Sequence, residues 1–307
     1  MGQPGLLQSL KHLPRALRLP FTMAGVLPFL MGSALAPWPP LIDRLVLGAV
    51  AVACTHLSAN LMNDYGDSRS RADRQDPEYY GFFGGSKLIQ TGVLSERFYL
   101  VASVIFAVIA AGCVVALAII MQHPWMVPLY VAVLILAWSY SERPLRLSYH
   151  ALGEPVIFVL FGMAPVMAGY YLRTEIFPTM QAFLLSLPFG FLTVAILVSN
   201  EVPDCSTDQA AGKRNWVVAV GRERGYLIYL ALVAAAFLSI IAAVWMGAVG
   251  LPALVALFLV PIPVKAARIL RRCCVDKKEA VPSSKLTIAL HALVGLVLIA
   301  MALLWPA

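Results

Sequence analysis

Asn60-Leu61-Met62-Asn63-Asp64-Tyr65-Gly66-Asp67 ends an apolar run that starts near Ile42, in a chain with only 16 acidic residues among 307. Ionisable side chains at the end of a hydrocarbon-length segment are costly, so their presence there marks a functional site. A second segment of the same kind, Asn200-Glu201-Val202-Pro203-Asp204-Cys205-Ser206-Thr207-Asp208, ends another apolar run. Both step by four residues, which on a helix aligns Asn63 with Asp67, and Asn200 with Asp204 and Asp208, along one face. Acids converging in this number repel one another unless a cation lies between them.

With 60% hydrophobic and 13% charged residues and a mean hydropathy of +0.80, the chain is too apolar for a soluble globule and reads as an all-α polytopic membrane protein. Apolar runs predict nine transmembrane helices near 19–37, 42–64, 97–121, 125–141, 153–172, 180–201, 226–247, 250–267 and 286–305. They are expected to bundle around a central cavity open to the cytoplasmic side. Lys and Arg collect on cytoplasmic connections. With the N-terminus inside, every one of the 23 basic residues except Arg44 and Arg173 falls on that side. A miscount of one helix in the middle would scramble this segregation. The net charge of +7 is therefore mostly a topology signal and calls for no nucleic-acid partner.

The first run ends in Gly32-Ser33-Ala34-Leu35-Ala36, which has the form of a signal-cleavage site. Its length, and the cytoplasmic start that the later spans need, favour an uncleaved span. The five cysteines show no metal-ligand spacing, and no disulfide framework is expected. Polar chemistry gathers on the longer inner connections, so the expected organisation is a single domain over 1–307 with cytoplasmic cap loops at about 65–96, 142–152 and 202–225. The Asn-x-x-x-Asp pair recurs 137 residues on, at Asn200 and Asp204, which suggests a duplicated four-helix unit followed by a ninth span. The last inner loop, Arg268 to Lys285, reads as a topology anchor touching anionic lipid, without a catalytic part. Asp43, Asp76 and Glu96 read as interfacial residues. Glu154 is either a cavity acid or, the favoured reading, the opening-turn acid of the fifth span. The scattered histidines have no ligand spacing, and no obligate protein partner is evident.

Magnesium prefers hard oxygen ligands, keeps several waters and commonly bridges carboxylates to phosphates. Two acidic clusters with carboxamide support suit it. Carboxylates repel a diphosphate unless metal mediates, and Lys87, Arg143, Lys213 and Arg214 lie on the correct side to complete the neutralisation. A diphosphate held at the mouth of an apolar bundle implies a lipid tail between the helices. If that lipid is an allylic isoprenoid, departure of diphosphate leaves a carbocation, which needs water excluded and aromatic faces nearby. Tyr65, Tyr79, Tyr140, Tyr149 and Phe158 are the candidates by position.

At this point the residues resemble a known family. Asn60 to Asp67, followed by Asp73, resembles the first aspartate motif of the UbiA superfamily of intramembrane prenyltransferases, closest to its menaquinone-type, 1,4-dihydroxy-2-naphthoate polyprenyltransferase-like branch. Asn200 to Asp208 with Gly212-Lys213 resembles the second motif. Gly84-Gly85-Ser86-Lys87 and Tyr140-Ser141-Glu142-Arg143-Pro144 stand in the expected order between them.

The resemblance implies a magnesium-dependent transfer of a polyprenyl group from its diphosphate to a ring carbon of an aromatic acceptor, in lipoquinone synthesis, in a bacterial inner or organellar membrane. Carried over by position, the metal set would be Asn63, Asp64, Asp67, Asp73, Asn200, Asp204 and Asp208. Lys87, Arg143 and Lys213, with Asn60 and Tyr140, would hold the diphosphate. Asp67, Asp204, Lys87 and Arg143 would form the catalytic set. Arg71, Pro203 and Asn215-Trp216 depart from the family pattern and bear on the acceptor more than on the diphosphate chemistry. A terpene cyclase on the same scaffold and a cation-coupled transporter are the alternatives. A transporter would place its acids near mid-bilayer rather than at one boundary. The Asp-Gly signature of CDP-alcohol phosphotransferases is absent.

Overall fold

The computed structural model describes residues 11–37, 39–70, 76, 78–177, 179–272 and 276–305. Among them the chain is all-helical. Seven helices are long and apolar enough to cross a bilayer: α2 (Ile42–Arg69), α3 (Glu96–Met121), α5 (Gly153–Thr174), α6 (Met180–Ala210), α7 (Arg222–Trp245), α8 (Leu251–Arg272) and α9 (Lys277–Leu304). Two shorter apolar helices, α1 (Leu19–Ala34) and α4 (Met126–Trp138), occupy the first and fourth predicted segments.

Local chemistry starts and bends these helices. Ser95 and Thr179 cap α3 and α6 by accepting the N–H of Phe98 and Ala182, satisfying amides that a first helical turn leaves unpaired. The middle of α5, Phe158–Met163, is a π-helical segment. It lies where Gly162 meets Gly190 of α6, and a Cβ on Gly162 would fall 2.2 Å from the Gly190 Cα. Likewise a Cβ on Gly32 of α1 would fall 1.9 Å from the Val166 carbonyl oxygen of α5. Small residues let helices approach this closely where lipid supplies no hydrophobic drive for association.

α6 is the axis of the bundle: 78% of its apolar window is buried, against 33–44% in the other spans. Leu185, Phe189, Leu192 and Val198 on it are almost wholly inaccessible and pack with Tyr229 and Ile240 of α7 and Leu290 of α9. α3 shows the membrane pattern. Val104, Ile105 and Val108 are exposed, whereas Ser103, Ala107 and Ala110 are buried. Ser103 donates to the Ser58 carbonyl of α2 at 2.9 Å, and Trp138 of α4 donates to the Ser58 hydroxyl at 3.0 Å. These interhelical bonds hold α2, which carries the first acidic motif, in a fixed rotation.

Both motif-bearing helices outrun their apolar patterns. α2 continues to Arg69 rather than ending near 64, and α6 to Ala210 rather than 201. The acids therefore sit on rigid final turns of helix, and the connections begin after them.

Candidate active site

The last turns of α2 and α6 face each other across a polar cavity of about 120 Å³. Asn63 and Asp67 line it from α2, and Asn200, Asp204 and Asp208 from α6, one helical turn apart as the four-residue step requires. Lys213 lies between the two motifs. Its ammonium is 3.1 Å from an Asp67 oxygen and 3.5 Å from an Asp208 oxygen. Burial lowers the proton affinity of this amine, but the Asp67 and Asp208 carboxylates outweigh it and hold the group well above its ordinary range.

Asp204 accepts the Gly84 N–H at 2.7 Å and the Lys277 ammonium at 3.0 Å. Asp208 also accepts from the Asn215 amide at 2.8 Å, and Asn200 from the Ser284 hydroxyl at 2.8 Å. The Gly84-Gly85-Ser86-Lys87 stretch adopts positive φ at Gly84, Gly85 and Lys87. That conformation lets the backbone turn into the cavity, where a β-carbon would strain it at the first two positions. Lys87 is buried and lines the cavity.

The Asp67 oxygen that does not meet Lys213, Oδ1, is buried without a hydrogen-bond partner. An orphaned carboxylate oxygen among further carboxylates and carboxamides is the donor chemistry of a hard divalent cation. Among the described residues no three acid, His or Cys side chains already close on one point, because Lys213 and Lys277 stand between the acids. The residues fit magnesium shared with waters and a phosphate ligand, rather than an all-protein cage.

Beneath the polar cavity lies an apolar one of about 140 Å³, lined by Phe21, Ala24, Ala59, Leu160, Phe161 and Ile196 among others. Arg18, Asn63, Tyr140, Leu197 and Asn200 border both. A polar mouth thus opens onto a hydrocarbon-lined interior. Tyr140 stands at the junction, and burial, with the Glu201 carboxylate adding to it, pushes its phenol well above the ordinary range.

Several expected residues stand elsewhere. Asn60 lies a turn deeper, bordering the apolar cavity and donating to the Leu17 carbonyl at 3.4 Å. Asp64 turns away from the acids: it is 2% exposed, pairs with Arg18 and accepts the Ser86 N–H at 3.2 Å. Arg143 and Arg214 are exposed and do not border either cavity. Asp73 falls outside the described residues. Of the five aromatic candidates, only Tyr140 lines a cavity. Tyr65 bonds Arg69, Tyr79 lies under the Arg15 guanidinium and Phe158 packs on Phe191. Glu154 does open α5 as favoured, yet it is fully buried and accepts the Trp216 N–H, so it secures the loop after the second motif.

Arg18, Asp76 and Lys277 border the polar cavity without having been singled out for it. The expectation that the last inner loop has only a topological role is corrected here. Lys277 reaches both Asp204 and Asp76, the latter at 2.8 Å. Asp76, read from sequence as an interfacial acid, is a cavity residue. Burial raises its affinity for a proton, but hydrogen bonds from Lys277 and the Glu78 N–H bring it below the ordinary carboxylate value. In sequence, both were masked by the general excess of charge on that side.

The family model for the UbiA prenyltransferase family matches residues 25–289. A 1,4-dihydroxy-2-naphthoate octaprenyltransferase of Bacillus subtilis is 25% identical over 249 residues, covering 80% of this chain and 77% of the relative. The Escherichia coli protein of that name is 29% identical over 213 residues, covering 66% and 65%. A 2-carboxy-1,4-naphthoquinone phytyltransferase of Synechocystis is 27% identical over 218 residues, covering 68% and 66%. Among solved structures, the apo form of a UbiA homolog from Aeropyrum pernix superposes with a TM-score of 0.69 at 17% identity, covering 92% of this chain and 97% of that one. A UbiA homolog from Archaeoglobus fulgidus bound to GPP and Mg2+ superposes with a TM-score of 0.63 at 17% identity, covering 94% and 99%. With a family match across most of its length, a shared fold and its two acidic motifs face to face, the chain belongs to the UbiA prenyltransferase family.

Proposed function

We propose that this membrane enzyme transfers a polyprenyl group from an isoprenyl diphosphate to a ring carbon of a dihydroxynaphthoate- or hydroxybenzoate-like acceptor, with Mg2+ as cofactor. The observation that carries the reading is one partly buried ammonium, Lys213, shared by a carboxylate from each motif in a polar cavity that adjoins an apolar one. The relatives named for naphthoate substrates support the acceptor class. The homolog bound to GPP and Mg2+ supports the donor and the metal.

Asn63, Asp67, Asn200, Asp204 and Asp208 would hold the metal, which when bound neutralises diphosphate charge and assists its departure. Lys213 and Lys87 add positive charge at the cavity wall, and the Gly84-Gly85 backbone places amide N–H groups beside it. The tail lies along Phe21, Leu160, Phe161 and Ile196, where water is excluded. When the allylic carbon–oxygen bond breaks, its electron pair leaves with the diphosphate. The resulting cation at the junction is faced by the Tyr140 ring, whose π-electrons attract positive charge. The acceptor's π-electrons then form the carbon–carbon bond, and the ring regains aromaticity by releasing the substituent at that carbon. The distribution of basic residues supports an N-terminus and site on the cytoplasmic face.

Purified protein supplied with Mg2+, geranylgeranyl or longer diphosphates and a panel of aromatic acids should yield a prenylated acceptor detectable by mass. A cyclic hydrocarbon or alcohol formed from the diphosphate alone would point to a cyclase. Substrate-independent ion flux in proteoliposomes, without either product, would revive the carrier.

A further inference from the structure

Residues 276–285, the opening turns of α9 and the residue before them, are built into the acidic site. Asp276 accepts the Lys278 N–H at 2.8 Å and starts a 3-10 turn, Lys277–Ala280, whose two lysines face the loop after the first motif, with Lys285 one turn into the helix beyond. Lys277 bonds Asp76 at 2.8 Å, Lys278 bonds Glu78 at 2.6 Å, and Lys285 lies 5.8 Å over the Phe82 ring. Below them Phe83 and Ala280, 3% and 0% exposed, pack together with Phe82, Ile269 and Val281 at their edge. The loop over 78–83 is thereby docked on the base of α9 by both charge and apolar contact.

Lys277 goes further than its neighbours, since it also crosses into the second motif. Its ammonium is 3.0 Å from Asp204 and 3.3 Å from the Thr207 hydroxyl, and it lies 5.7 Å over the Tyr80 ring. Lys213 and Lys277 therefore repeat one arrangement: each is a single positive charge between two carboxylates of a cavity wall. Asp204 is engaged at both oxygens, Oδ1 by the Lys277 ammonium and Oδ2 by the Gly84 N–H, so a metal ion approaching it meets a like charge already seated at Oδ1. An ammonium that gives way to the metal remains at the wall of the cavity where a diphosphate would bring negative charge.

Resting on the prenyl diphosphate reading of this site, we propose that Lys277 is an exchangeable counter-ion. It neutralises Asp204 and Asp76 before substrate arrives, yields Asp204 to the metal, and then binds the diphosphate from the α9 side. The role belongs to binding and to positioning of the 78–83 loop; no bond is made or broken at Lys277.

The two halves of this proposal have opposite signs, which separates them from a merely structural role. With Mn2+ or Mg2+ alone, Lys277→Gln removes a competitor for Asp204, so metal is expected to bind about threefold or more tightly than in the wild type. With saturating metal, the same variant is expected to bind a non-hydrolysable geranylgeranyl thiolodiphosphate about tenfold more weakly, and Lys277→Arg to restore most of that affinity. Metal binding can be read by electron paramagnetic resonance of Mn2+ and analogue binding by calorimetry, with thermal melting in detergent to establish that each variant is folded. Metal binding that is unchanged or weakened, or analogue binding that is unchanged, would overturn the proposal. If Lys277→Gln does not fold, Lys277→Met carries the same comparison, with Lys277→Arg as the charge-keeping control. A wild-type protein that binds metal but no analogue would instead overturn the prenyl diphosphate reading, and with it the diphosphate half of the role.

Discussion

Asp64 and Asp67 are three positions apart in one motif and do different things. Successive helical residues are rotated by about 100°, so Asp67 returns to within about 40° of Asn63, while Asp64 stands a full step round from Asn63 on the other flank. Asp67 faces Lys213 and the second motif, whereas Asp64 ties Arg18 to the Ser86 backbone. Asp67→Asn and Asp204→Asn are accordingly expected to lower kcat by at least about a hundredfold with little change in melting temperature. Asp64→Asn should instead lower stability by about 3 kcal/mol, because it leaves a guanidinium short of its partner, and should keep the wild-type dependence on magnesium concentration. Thermal melts and metal titrations of the three variants separate these outcomes; a changed metal dependence in Asp64→Asn would return it to the metal set. The four-residue step made the place of Asp67 and Asp204 on the cavity wall legible from sequence; it did not separate Asp64, which stands only about 60° from Asp67 on the helix. Arg143 and Lys277 were not legible. Both are basic residues on the connections where most of the positive charge gathers, and only the fold distinguishes the one in the cavity from the one outside it.

Among the elements, the apolar pattern located the long apolar helices but not the short ones at Leu13–Ala16 and Trp216–Val220, and it misjudged where the decisive ones stop. Apolarity marks what lies in hydrocarbon, and the final turns of α2 and α6 are polar because they line a cavity, so their helical continuation was carried by the four-residue step alone. The π-helical segment of α5 left no mark in composition; it shows itself through Gly162 and Gly190, where backbone meets backbone. Gly162→Ala should cost about 1–3 kcal/mol by forcing α5 from α6, read as a lower melting temperature in detergent. An unshifted melt would mean that the two helices separate more readily than their packing implies. The apolar cavity makes a second demand on α2. Ala59 borders it one turn below Asn63, so Ala59→Phe should reduce kcat/KM for a geranylgeranyl donor several-fold more than for a geranyl donor, by filling room the longer tail requires. Equal effects on both donors would place the tail elsewhere.

Over the whole molecule, the proposed reaction poses a solvation problem: a diphosphate needs cations and hydrogen bonds, its tail needs hydrocarbon, and the bond between them must break away from water. The fold suits it: the acidic motifs ride on the ends of two helices, Lys87, Lys213 and the Lys277 that opens α9 line the same polar cavity, and an apolar cavity adjoins it. That division was foreseeable from a chain that sets two acidic clusters at the ends of long apolar runs. The junction between the halves was not, because Arg18, Tyr140 and Leu197 come from distant segments that only the fold assembles. The most direct measurement is equilibrium binding of geranylgeranyl thiolodiphosphate across a magnesium titration, in the wild type, Asp67→Asn and Asp204→Asn. Tight binding that requires magnesium in the wild type and is lost in both variants is the expected result. Binding that ignores the metal, or that survives both substitutions, would contradict the claim that the two motifs jointly hold a metal-bound diphosphate.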